Sequence, residues 1–169
     1  MISERQTYFR RILQTLVDGQ VSFIVVGGIA AAFHGSPRAT FDVDVVYLRT
    51  RENIQRLVAA LAPHNPYLRG APPGLPFRWD EKTVRMGLNF TLETNLGDID
   101  LLGEIAGGGD YNALLPHSAI GEMFGIGCLC VNLAKLIQLK RAAGRPRDLL
   151  VVSELQALLE ERRKAGEQI

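Results

Sequence analysis

Two short segments carry the residues best suited to chemistry. Phe41-Asp42-Val43-Asp44-Val45-Val46 sets two aspartates one residue apart in an apolar run, and Gly97-Asp98-Ile99-Asp100-Leu101-Leu102 repeats the device. Side chains alternate along an extended strand, so Asp42 and Asp44 project from one face with Cα atoms about 7 Å apart, and Asp98 and Asp100 do the same. Two carboxylates about 4 Å apart repel by roughly 4 kcal/mol at an effective dielectric near 20. On a strand packed into a core, such a pair needs a cation or a proton. An all-oxygen donor set suits Mg²⁺ or Mn²⁺ rather than zinc. Taken singly, each pair also fits the wet face of an edge strand or a solvated strand end. On neighbouring strands the two pairs would form a three-carboxylate cluster, able to hold two metal ions against a phosphoryl centre. The expected ligands are Asp42, Asp44 and Asp100. Asp100 is preferred because Leu101 and Leu102 continue a buried strand beyond it, which leaves Asp98 for the strand mouth or a turn cap.

A second group suits phosphate. Val26-Gly27-Gly28-Ile29-Ala30 reads as a strand end running into a helix start. Glycine permits close backbone approach, and amides at a helix N-terminus favour anions. A tight turn is the plainer reading of that glycine pair taken alone. The chain has neither Gly-x-Gly-x-x-Gly nor Gly-x-x-x-x-Gly-Lys-Ser/Thr at this point, so a dinucleotide fold and a P-loop are poor fits. Arg38 and Thr40 lie in the loop just before the first aspartate pair, where they either face a triphosphate or are simply solvated. Lys140 falls within the apolar arc of Leu133, Leu136, Ile137, Leu139 and Ala143. An unpaired ammonium there is costly, so Lys140 either meets a phosphate or a carboxylate or carries its head out to water.

Gly27-Gly28, then Arg38-x-Thr40-x-Asp42-x-Asp44, then a later strand aspartate resembles the polymerase-β-type nucleotidyltransferase superfamily. More narrowly, the pattern resembles small bacterial members related to AbiEii-type toxins and to minimal antibiotic nucleotidyltransferases. His34-Gly35 and the stretch 140–148 fit the same group, and the resemblance spans roughly residues 21–148. It implies a glycine turn that holds a nucleoside triphosphate, two strand aspartates that bind Mg²⁺ or Mn²⁺, and a third that assists an attacking hydroxyl. Gly27, Gly28, Arg38, Thr40 and Lys140 are then the expected nucleotide-binding residues. Many members carry serine after the first glycine; here Gly28 stands in its place, so one phosphate-contacting hydroxyl is missing.

The elements that position these residues follow from periodicity. Helical spacing marks residues 4–18, 51–61, 132–143 and 146–163, with Gly19 and Gly144 as stops and Pro146 as an opening residue. Apolar, β-branched or alternating runs mark strands at 22–26, 41–48, 82–94, 97–102 and 124–131, the third and fourth joined as a hairpin across Asn95-Leu96-Gly97. Residues 29–33 read as a helix start, and Asp110 as the cap of a short helix over 111–115. Residues 63–76, rich in proline and glycine, read as an exposed loop where acceptor specificity would sit. The order of elements points to an α+β fold of the nucleotidyltransferase type, a short mixed twisted sheet flanked by helices.

At 169 residues the chain reads as a single domain, with C-terminal helices from about residue 132. A formal net charge of +1 argues against a strongly basic nucleic-acid footprint. No secretory or membrane-spanning pattern is evident, which points to the cytoplasm and no membrane partner. Cys128 and Cys130 read as reduced, half-buried residues. His34 reads as a helix-end residue and Trp79 as a core or lid aromatic. The expected activity is transfer of a nucleoside monophosphate to a hydroxyl acceptor: a small molecule, a protein side chain or an RNA end. The rival readings are a nucleotide-binding or toxin–antitoxin-type interaction protein on the same fold, and a domain whose aspartates are mere surface charges. The absence of an obvious second domain leaves room for a homodimer or a partner protein.

Overall fold

The structure, a computed structural model, describes residues 3–167. Helix α1 (Glu4–Asp18) begins at Ser3, whose hydroxyl accepts from Gln6 N–H while the Gln6 side chain accepts from Ser3 N–H. Its buried stripe is Phe9, Ile12, Leu13 and Leu16. Strand β1 (Phe23–Val26) is buried at every position, so both faces of the sheet are covered there. Helix α2 (Gly27–Phe33) follows it without a connecting residue. Strand β2 (Asp42–Tyr47) leads through Thr50, which caps helix α3 (Arg51–Leu61), to a two-residue strand β3 (Tyr67–Leu68). Helix α4 (Glu81–Met86), strand β4 (Phe90–Thr94) and strand β5 (Gly97–Leu102) come next. A small ribbon of β6 (Glu104–Ile105) and β7 (Gly109–Asp110) precedes helix α5 (Tyr111–Leu114), which Asp110 caps. The hairpin β8 (Ser118–Met123) and β9 (Ile126–Val131) then leads to α6 (Leu133–Ala143) and α7 (Pro146–Lys164).

Seven strands form one mixed sheet in the order β3-β4-β5-β2-β1-β9-β8. β2 runs parallel to β5 and antiparallel to β1, and β1 runs parallel to β9. Helices α1 and α3 pack on each other, while α2 packs on α6 and α6 on α7. The α+β architecture read from the sequence is borne out; among the described residues the main sheet has two strands, β3 and β8, that periodicity does not show, and the β6–β7 ribbon is a further addition.

The differences have local causes. Residues 82–94 are not one strand: Asp80 accepts from Thr83 N–H at 2.7 Å and starts α4, Gly87 ends it, and only Phe90–Thr94 extends. The strand expected over 124–131 is half of a hairpin. Phe124 and Gly125 both take positive φ, +53° and +79°, as a two-residue turn requires, and β8 lies before them. Its sequence, Ser-Ala-Ile-Gly-Glu-Met, is too polar to announce a strand. The 63–76 loop is only partly exposed: β3 joins the sheet edge, and the Tyr67 hydroxyl donates to Pro72 O.

Candidate active site

The cluster is made by register. Along β2, Val43 and Val45 are fully buried, while Asp42 and Asp44 are half-buried on the opposite side. Parallel pairing with β5 then sets Asp42 opposite Asp98 and Asp44 opposite Asp100. Asp42, Asp44 and Asp100 each offer an oxygen, and these oxygens lie within 4.8 Å of one another. Val26, the last residue of β1, faces Asp44 on the other side, which brings the glycine turn onto the same carboxylate.

That turn fits closely. Gly27 has φ +68°, and a Cβ there would fall on the Asp44 carboxylate, 2.8 Å from its Cβ and Cγ. A Cβ on Gly28 would run into the Thr40 hydroxyl and lie 2.7 Å from Thr40 Cβ. Thr40 Oγ1 thus fills the place that a side chain at position 28 would take, and it donates to Asp42 O at 3.3 Å. The first turn of a helix leaves backbone N–H groups without intrahelical acceptors, and Gly27 and Gly28 of that turn line the same cavity as the aspartates.

Electrostatics mark the cluster as cation-seeking. Burial, the charge of Asp42 and the contact with Asp100 push the Asp44 carboxyl up to about 8. Asp42 is also raised, by burial first and then by Asp100. Three crowded oxygen donors, one of them pushed toward its protonated form by burial and by its carboxylate neighbours, fit a divalent ion of the Mg²⁺ or Mn²⁺ type.

The cavity has a volume of about 740 Å³. Gly27, Gly28, Arg38, Thr40, Asp42, Asp44, Asp100 and Lys140 all line it, so the eight residues expected to bind metal or nucleotide come together there, while Asp98 lies outside it. Leu102, Ile105, Leu136 and Leu139 give it an apolar wall. Arg38 is already paired through two nitrogens with Glu154 of α7, at 2.8 and 3.1 Å. Lys140 is mostly buried, and the carboxylate that explains its burial is Asp148, 3.6 Å away, rather than one of the strand aspartates.

Asp148 and Arg69 are the residues that sequence reasoning missed. An aspartate in the first turn of a helix is accounted for by the helix dipole alone, but Asp148 is 2% exposed and held by Arg145 at 2.6 and 3.1 Å. Burial alone would raise its carboxyl, but the Arg145 hydrogen bonds and charge, with Lys140, hold it below the ordinary value. Arg69, from the supposedly exposed loop, contacts Asp42, Asp98 and Asp100. The one available signal was an arginine in a segment expected to lie near the acceptor. Residues given no chemistry stay outside the site. His34 is buried against Val131 O and Arg162, and the Trp79 indole donates to Val58 O. Burial raises the free thiols Cys128 and Cys130 to about 11 and about 12, which suits inert core residues. Among the described residues, no helix is long and apolar enough to cross a membrane.

No protein-family model matches the sequence, and no curated protein matches it significantly. Solved structures do resemble the fold. The lincosamide antibiotic adenylyltransferase LnuA, bound to lincomycin, superposes with TM-score 0.59 at 12% identity, covering 93% of this chain and 98% of that one. The antibiotic-resistance factor ANT(2'')-Ia gives 0.54 at 13% identity, over 98% and 96% of the two chains. A candidate nucleotidyltransferase from Thermotoga maritima gives 0.54 at 16% identity, over 91% of each. Identities this low carry the fold and not the substrate. With its mixed sheet, its glycine turn and its two facing aspartate strands, the chain has the polymerase-β-type nucleotidyltransferase fold.

Proposed function

We propose that this chain, acting as a single domain, transfers a nucleoside monophosphate from a nucleoside triphosphate to a hydroxyl acceptor. The observation that carries this reading is the convergence of Asp42, Asp44 and Asp100 beside the Gly27-Gly28 turn in one cavity. Asp42, Asp44 and Asp100 would hold a divalent cation of the Mg²⁺ or Mn²⁺ kind. When bound, such an ion supplies Lewis-acid stabilisation of charge on the phosphoryl oxygens.

The chain's own residues supply the rest. Backbone N–H groups at the start of α2 receive phosphate oxygens, because Gly27 and Gly28 carry no side chain to block the approach. Thr40 offers the hydroxyl that serine at position 28 would otherwise provide. Lys140, tethered by Asp148, sets a positive charge beside the triphosphate. Asp100, across from Asp44, accepts hydrogen bonding from the acceptor hydroxyl and draws off its proton as the new P–O bond forms and pyrophosphate leaves. The apolar wall of Leu136 and Leu139 receives the base or an apolar acceptor face. LnuA's structure holds lincomycin, and that precedent makes small hydroxylated molecules the first acceptors to screen.

The test is incorporation of α-phosphate label from each nucleoside triphosphate into small-molecule, protein and RNA acceptor pools, with pyrophosphate counted. Label transfer abolished in Asp42→Asn and Asp44→Asn supports the reading. Metal-dependent nucleotide binding with no pyrophosphate from any pool moves the chain to a nucleotide-binding role without turnover.

A further inference from the structure

Arg69 is built into the acidic cluster in an unusual way. It follows β3 directly, and its backbone N–H donates to Thr91 O on β4 at 3.0 Å. Its guanidinium then reaches three carboxylates at once: Nη2 lies 2.9 Å from Asp100 Oδ1, Nε 3.3 Å from Asp98 Oδ2, and Nη1 3.4 Å from Asp42 Oδ2. Nη2 also donates to Leu92 O at 2.8 Å. A strong structural pair presents two parallel N–H bonds to a single carboxylate. Here each nitrogen meets a different residue. Among the described residues, Arg69 Nε and Asp100 Oδ1 are both buried without an aligned hydrogen-bond partner. The contact with Asp100 is therefore close in distance but mainly coulombic. Two of the three carboxylates, Asp42 and Asp100, are also members of the metal-competent trio.

A divalent ion held by Asp42, Asp44 and Asp100 would share two ligands with a guanidinium and be repelled by it at short range. The carrier of Arg69 is suited to yielding. β3 is two residues long and lies at the sheet edge, and the Arg69 side chain is one-quarter exposed, so a route to water is open.

We propose that Arg69 is a resident counter-cation: its guanidinium holds the Asp42–Asp98–Asp100 side of the cluster when no metal is present and competes with divalent metal for the same carboxylates. Metal binding expels it. Metal alone therefore binds weakly. This rests on the metal-binding reading above, and its failure is separable from the failure of that reading.

The experiment is titration of Mn²⁺ into nucleotide-free protein, counting free ion by electron paramagnetic resonance. Arg69→Met keeps length and removes charge. It is expected to bind Mn²⁺ at least about tenfold more tightly than wild type. Its metal-free melting temperature is expected to fall and to be restored by Mn²⁺. Equal or weaker Mn²⁺ binding by Arg69→Met, with wild type binding, overturns the competition and leaves the metal site standing. No Mn²⁺ binding by either protein overturns both. Should Arg69→Met fail to fold, the Arg69 Nε–H resonance of wild type decides under Mg²⁺ titration. Faster solvent exchange at saturation supports displacement, and an unchanged resonance at saturation overturns it.

Discussion

Asp44 and Asp100 stand directly opposite each other across the parallel β2–β5 pair, with the Gly27 backbone pressed onto the Asp44 carboxylate. Much of the chemistry follows from that pairing. It crowds acid into a half-buried place and leaves no room there for a side chain on the glycine.

The crowding predicts a pH dependence. Asp44 has its folded pKa raised from 3.8 to about 8, so the folded state binds the proton more tightly than the unfolded state does. Without metal, the Asp44 contribution to stability is fully present below about pH 4, falls away as pH rises through the interval up to about 8, and stays lost beyond it, while the contribution of Asp148, held low by Arg145, runs the other way and is lost at acid pH. Asp44→Asn should flatten that fall, and urea melts between pH 4 and 9 check it. Metal binding near neutral pH should release protons from the cluster, readable by calorimetry in buffers of different ionisation enthalpy.

Gly27→Ala should destabilise the chain. The positive φ alone accounts for about 1–2 kcal/mol, and the clash with Asp44 adds to it. Nucleotide affinity should fall along with stability. A Gly27→Ala protein with wild-type melting and wild-type affinity would show that the turn does not abut the carboxylate.

Gly28 and Thr40 should behave as a coupled pair. Gly28→Ser introduces a side chain where the Thr40 hydroxyl sits, and is expected to weaken folding by about 1–3 kcal/mol, in the range of overpacking. Adding Thr40→Ala should recover part of the loss and return a hydroxyl to the phosphate side. A double-mutant cycle measures the coupling, and simple additivity would contradict the shared space.

Asp148→Ala should be among the more damaging changes. It strands the mostly buried Lys140, while the half-exposed Arg145 can turn to water, and is expected to lower stability by about 3 kcal/mol, the low end of what removing one partner of a buried ion pair costs. Asp148→Ala combined with Lys140→Met should be less damaged than Asp148→Ala alone. Denaturant melts of the three proteins give the comparison.

What the sequence disclosed depended on the range of the interaction that carries each feature. The four aspartates were legible because a period of two sets them on one face within a few residues, and the apolar neighbours fixed which strands are buried. Gly27-Gly28 and the caps at Asp110 and Gly144 are likewise local. Arg69 was not legible. Its reach to Asp42, Asp98 and Asp100 depends on β3 pairing with β4 and β4 with β5, and two residues of strand leave no periodic trace. Asp148 was missed because its partner Lys140 lies on another helix, across the Gly144 turn. Strand β8 was missed because an edge strand, paired on one side, can be polar and short.

Asp42, Asp44 and Asp100 are proposed to form a metal-dependent nucleotide site. Its most direct test is thermal melting of wild type and of the Asp42→Ala/Asp44→Ala protein with each nucleoside triphosphate, with and without Mg²⁺ or Mn²⁺. Ligand at about a hundred times its Kd stabilises by roughly 2.7 kcal/mol, or about 5–10 °C for a chain of this size. The expected result is a shift that requires both metal and nucleotide and disappears in the double variant. A shift that survives in the double variant, or that needs no metal, would contradict it.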